Sequence, residues 1–180
     1  GTNGVVQVTG AVGNAHPLST LTLTNSNGAT FASAVSTSTS VVLTDTVAGQ
    51  TITFAGNLST PTLTTTSSAY NLELQGAITS VTNATTFNNT ASLVLGNGSG
   101  DSLSFTGGLT ATAPTSIYIA GTLGATNAPI TLGAAPLRLT GNTTFNAGSG
   151  DITLGGTVNG NYGLTLNSTG ATTLDRKSVV

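Results

Sequence analysis

Few residues in this chain could do chemistry, and they are scattered. His16 is the only histidine, in Asn14-Ala15-His16-Pro17. A catalytic histidine needs a nucleophile to activate and an acid to orient it. No G-x-S-x-G elbow supplies the first, so His16 reads as a loop residue. The acids are Asp45, Glu73, Asp101, Asp151 and Asp175. Two share a context, Gly98-Ser99-Gly100-Asp101 and Gly148-Ser149-Gly150-Asp151. A glycosidase or lyase would use paired carboxylates, or acids and bases clustered on one face. Asp101 and Asp151 could project from the same corner of a coiled chain. At ~4.8 Å per turn, two or more turns would separate them by about 10 Å or more, too far for a retaining pair. The run from Gly96 loosely matches a calcium-binding nonapeptide, which makes Asp101 and Asp151 the candidate calcium ligands. Such sites need tandem copies, and these are far apart. An aspartate that bonds its own turn backbone is the simpler reading. The expectation is therefore no enzyme, no cofactor and no firm metal site.

The composition narrows the partners. Of the 180 residues only 4% are charged, and the net charge is −2. An ordinary soluble domain has about 25% charged residues. The three basic residues, Arg138, Arg176 and Lys177, cannot form a phosphate-tracking stripe, so nucleic acid is not expected as a partner. The same scarcity argues against an electrostatic membrane patch. No apolar run approaches the ~18 residues of a spanning helix. Cysteine and methionine are absent. The chain has no disulfide framework and no thiolate metal site, and Gly1-Thr2-Asn3-Gly4 reads as a mature or excised start. Richness in Thr, Val and Ile argues against disorder.

The elements that would position these residues are short strands. Thr, Ser, Gly, Asn and Val form helices poorly, and no stretch keeps a period of 3.6. Alternation is everywhere, as in Leu21-Thr22-Leu23, Thr51-Ile52-Thr53-Phe54 and Leu164-Thr165-Leu166. Turn pairs such as Asn27-Gly28 and Gly155-Gly156 separate the strands. One motif recurs: two apolar residues flanking any residue, a spacer, Gly, then another apolar or Thr residue. Copies start at Val6, Ile52, Leu72, Leu103, Ile117, Leu137 and Ile152. The apolar pairs at 52, 72, 93, 117 and 137 lie roughly 20 to 24 residues apart, the length of one solenoid coil. The chain is thus expected to be all-β, a single parallel β-solenoid domain over residues 1–180 of about eight coils. Residues 79–91 and 110–116 are expected to be inserted loops. Phe31, Phe54, Phe87, Phe105 and Phe145 should fill the core. The outward residues of the seven copies run Gln7, Thr53, Glu73, Ser104, Tyr118, Arg138 and Thr153, which is no regular lattice. A second series, Thr22, Thr131 and Thr165, is more regular but is interrupted by Val94. The Asn-x-Ser/Thr triplets at Asn57, Asn83, Asn88, Asn97, Asn142 and Asn167 follow from composition. Glu73 and Arg138 could pair across coils only if insertions brought them close.

Residues 148–174, GSGDITLGGTVNGNYGLTLNSTGATTL, resemble the repeats of large bacterial exoproteins, the passenger regions of autotransporters and filamentous-haemagglutinin-like adhesins. That resemblance implies a right-handed parallel β-helix at or outside the bacterial cell surface. It also implies a repeat segment of a longer protein or a smaller relative. Solenoid ends are open sheet edges that template further pairing unless capped. No capping helix is evident, and low charge offers little repulsion. Head-to-tail association into a homo-oligomer or filament is expected, through Val6, Val8 and Val12 at one end and Leu164, Leu166 and Leu174 at the other. The functional expectation is an extracellular structural protein, either a fibre subunit or an adhesin stalk. A carbohydrate- or ice-binding module is the alternative, with surface glycans as partners in the first case. A donor-strand pilin built as a β-sandwich is another; it would show an unpaired terminal strand.

Overall fold

The computed structural model describes residues 4–175. Among them there is no helix, and every named strand pair is parallel. The chain winds through about eight coils, each laying down up to three short strands. Stacked coils form three parallel ladders, which we call faces A, B and C.

Face A stacks Val6–Val8, Ala29–Phe31, Thr51–Phe54, Asn71–Leu74 and Ser92–Leu95. It continues with the first halves of Ser116–Gly124 and Leu137–Gly148, then Val158–Asn159. Face B begins at Val12, bridged to the start of Val35–Leu43, and runs through Leu58–Thr60, Ile78–Val81 and Ser102–Phe105. The second halves of the two long strands and Leu164–Ser168 complete it. Face C holds Leu18–Leu23, the end of Val35–Leu43, and Thr62–Thr65. Above them lie Thr85–Thr86, Leu109–Ala111, Ile130–Leu132, Ile152–Leu154 and Thr172–Leu174. Ile52 pairs with Leu72, 20 residues on, and Leu93 with Ile117, 24 residues on. The coil length read from the sequence is the one observed. All-parallel stacking excludes the antiparallel sandwich of the pilin alternative.

The alternation of each strand sends one set of side chains inward. Leu72, Leu93 and Ile117 stack directly over one another and are fully buried. Burial of each such side chain contributes about 1.5–3 kcal/mol, and a single coil could not achieve it alone. All five phenylalanines are in the core. Phe31 and Phe54 stack face to face with ring centres 4.8 Å apart, and Phe87 meets Phe105 edge-on at 5.7 Å. One contiguous core runs from Leu23 to Leu154.

Two expectations fail. The segments 79–91 and 110–116 are not inserted loops: Ile78–Val81, Thr85–Thr86 and Leu109–Ala111 are regular rungs. The longest coil instead takes its extra length from the excursion at 96–101. The seven motif copies also do not share a face. Those at Val6, Ile52, Leu72, Ile117 and Leu137 are on face A, that at Leu103 on face B, and that at Ile152 on face C. Apolar-x-apolar followed by a corner is what every face requires, so the motif marks strands without saying which wall they build.

Corner asparagines fasten one coil to the next. Asn57 Oδ1 accepts the Ile78 N–H at 3.0 Å, Asn71 Oδ1 the Ser92 N–H at 3.1 Å, and Asn142 Oδ1 the Gly163 N–H at 2.9 Å. Each bond satisfies a backbone donor that has left the ladder at a turn. Asn57 and Asn142 head two of the Asn-x-Ser/Thr triplets, and their side chains are used for stacking.

Candidate functional site

The chemically capable residues stay apart in space. His16 is in an exposed turn of the first coil, between faces B and C. Asp101 sits at a corner between faces A and B, whereas Asp151 sits at a corner between faces B and C. The shared GSGD context therefore does not place them on one corner. Asp101 Oδ2 accepts the N–H groups of Asn97 and Gly98 at 2.8 and 2.9 Å, closing its own loop. Asp151 Oδ1 accepts the Ala171 N–H at 2.8 Å from the following coil. Both behave as turn residues, and the calcium reading finds no converging donors: no cluster of three His, Cys, Asp or Glu exists among the described residues. Glu73 and Arg138 share face A, but the rungs of Val94 and Tyr118 lie between them. Three rung steps are about 14 Å, so they form no pair. Arg176 and Lys177 lie outside the described residues.

The outward columns are the more informative feature. On face A the column reads Gln7, Thr30, Thr53, Glu73, Val94, Tyr118, Arg138 and Asn159. It is mixed, as the sequence suggested, although Ser104 and Thr153 belong to other faces. On face B, Ser36, Ser59, Ser80 and Ser104 are stacked in register, and Thr122, Thr144 and Thr165 form a second short column. On face C, Thr22 pairs with Val42 and Val42 with Thr64. Thr86, Thr110, Thr131, Thr153 and Thr173 then pair one above another. Seven of the eight central outward positions on this face are thus threonine. The exception, Val42, has nearly the shape of threonine.

The sequence reading missed this ladder because it mixed the faces. Thr22 and Thr131 are on face C, Thr165 is on face B, and the supposed interruption, Val94, is on face A. A signal was present in the x-Thr-x centres of LTL, LTT, LTA and ITL, but using it requires knowing which strands share a wall. Among the described residues, no protein group hydrogen-bonds the hydroxyls of Thr22, Thr64, Thr86, Thr110, Thr131, Thr153 or Thr173. They repeat about every 4.8 Å and face solvent or half-face it.

No protein-family model, curated protein or solved structure matches the chain. The functional reading therefore rests on the geometry of the ladders and of the ends.

The six residues named for end-to-end association lie in the two end coils. Val6, Val8 and Val12 belong to the first coil, and Leu164, Leu166 and Leu174 to the last. All but Leu174 pack against the core while remaining partly uncovered; Leu174 is 39% exposed. Between these coils the stacked inward apolar side chains are sealed, as at Ile52, Leu93 and Ile130.

Proposed function

We propose that this chain is a length of extracellular structural rod, a fibre subunit or adhesin stalk of a bacterial cell surface, which associates end to end. The observation that carries the reading is the contrast in burial between the middle and the two end coils. Among the described residues, inward valines and leucines of the end coils lack cover on one side, and no strand pairs with the outer edges beside them. Further coils or a second copy of the chain would supply both the apolar cover and the missing backbone partners, and either makes a longer rod. The resemblance of residues 148–174 to exoprotein repeats supports the placement outside the cell. No catalytic residue is proposed.

Electron microscopy of the purified chain tests this. Continuous filaments one solenoid wide are expected, with a subunit repeat of about 38 Å, eight rungs of ~4.8 Å. Deleting residues 4–26 or 158–175 should abolish long filaments while the remaining coils stay folded by circular dichroism. Monomeric rods from the full chain, or undiminished filaments from both deletions, would refute end-to-end contact.

The face C ladder favours a second reading, a surface that binds a repeating lattice such as ice. Regular, unpartnered hydroxyl and methyl groups on a rigid sheet can order water in register with a crystal face. Thermal hysteresis of the purified chain is then expected, and it should vanish in the Thr110→Lys, Thr131→Lys double variant. Absence of hysteresis in the unaltered chain would eliminate this reading.

A further inference from the structure

Face A carries a groove of about 580 Å³ across the rungs of the last three coils. Its walls include Ser116, Tyr118, Pro136, Arg138, Asn159 and Gly160. We infer that this groove binds an acidic polysaccharide, with Arg138 taking the carboxylate of a uronic sugar and Tyr118 supporting its ring.

The three central side chains are fixed by the ladder. Tyr118 pairs with Arg138, and Arg138 with Asn159, on successive rungs. Ile117, Ile119, Leu137 and Leu139, which flank Tyr118 and Arg138, are buried, and Val158 beside the exposed Asn159 packs against the core, so alternation sends all three outward on one wall. Phenol, guanidinium and amide thus stand in a row at steps of about 4.8 Å. Gly160 lines the upper end of the groove with bare backbone. Its φ is +141°, and a Cβ there would lie 2.7 Å from the Leu139 carbonyl oxygen, so the backbone excludes any larger residue.

The charge at this place is unusual for the chain. Arg138 is exposed, and it is the only lysine or arginine among the described residues. It has no ion-pair partner there. The one acid on its face, Glu73, is engaged by Thr53 Oγ1 at 3.2 Å and Gln75 Nε2 at 2.8 Å. Glu73 also lies about 14 Å away, beyond the ~10 Å screening length at 0.1 M salt. Every other outward column offers hydroxyls and amides without charge. A guanidinium fork holds a carboxylate by two parallel hydrogen bonds, which a neutral sugar cannot match. Tyrosine presents a flat apolar plate with a polar tip, suited to the C–H face of a sugar ring beside its hydroxyls. The Asn159 amide and Ser116 hydroxyl add donors and acceptors for those hydroxyls. The volume lies within the 300–1,000 Å³ usual for ligand clefts, and the groove follows the stack, so it suits a linear chain.

The test is titration calorimetry with polygalacturonate against neutral dextran of similar length, on the full chain and on R138Q, R138K and Y118A. Because both positions face outward, the three variants should keep the parent melting temperature. The unaltered chain should bind polygalacturonate and not dextran, and binding should weaken with salt. R138Q should lose affinity by about tenfold or more, the scale of one charge-assisted hydrogen bond. R138K should keep part of it, because charge survives without the fork. Y118A should also bind more weakly. The proposal is overturned if polygalacturonate does not bind, if dextran binds as tightly, or if R138Q and Y118A bind like the parent.

Discussion

Tyr70 is the largest side chain fully sealed inside the solenoid, and it brings an ionisable group with it. Its hydroxyl donates to the Leu43 carbonyl oxygen at 3.4 Å, in a corner it shares with Thr65 and Thr66. Burial pushes its pKa above the ordinary 10.0, hydrogen bonds from that corner pull back part of the rise, and the charge of Asp45 adds to it. The unfolded chain then loses this proton at lower pH than the folded one. Stability from the neutral phenol is complete below about pH 10 and is lost as pH rises from there through the raised folded value. Melting temperature should therefore fall as pH rises above about 10 in the parent protein. Tyr70→Phe should flatten the part of that slope due to this site, at a cost near neutrality of about 0.5–1.5 kcal/mol for the lost hydrogen bond. An identical slope in both proteins would refute the assignment. Residues were unequally legible at this scale. The phenylalanines were readable as core because nothing else in so small-sided a chain could fill it. Tyr70 was not, because it stands at the end of a Thr/Ser-rich turn run, outside any alternating strand. The fastening asparagines were hidden for a related reason: a corner amide bonding the next coil looks, in sequence, like any surface asparagine.

At the scale of the element, each strand is interchangeable with the one above it, provided the register is kept. Ile52 and Leu72 occupy the same place in consecutive coils, as do Phe54 and Leu74. Excising residues 52–71 joins Thr51 to Leu72 and removes one whole coil without changing which side chains point inward. Such a variant should fold, with an intact β spectrum and a modest fall in melting temperature, since one set of coil contacts is lost. Excising only 52–61 removes half a coil and leaves the next strand facing the wrong wall. That variant should not give a cooperative melt. If both deletions behave alike, the coils are not the stacking units. The element scale is also where the sequence reading was weakest. Coil length and strand positions follow from apolar spacing, and both were legible. Assignment of a strand to a wall depends on the number of residues spent at each corner, which ranges from none within Ser116–Gly124 to seven at 44–50. That variation moved Leu103 and Ile152 off the wall expected for them and concealed the face C threonines.

At the scale of the whole molecule, contacts are made almost entirely between neighbouring coils, so stability should vary along the axis. An interior rung such as Leu93 is covered from both sides, by Leu72 and Ile117, and is fully buried. Among the described residues, Val6 is covered from one side only, by Ala29, and Leu166 by Phe145. Opening an end coil breaks one interface, whereas opening a middle coil breaks two. Hydrogen exchange on the dilute chain should therefore be slowest in the rungs from Ile52 to Leu132. It should be fastest in the first and last coils, where opening costs little. End-to-end association makes a sharper demand. A second copy seated on an end coil converts it to an interior one, so the amides of Val6–Val8 and Leu164–Ser168 should slow when the chain is concentrated, while those of the middle coils stay unchanged. Association through a lateral face would leave the end coils fast at every concentration. Uniform protection along the axis would show that the rungs open together, contrary to a stack held by nearest neighbours.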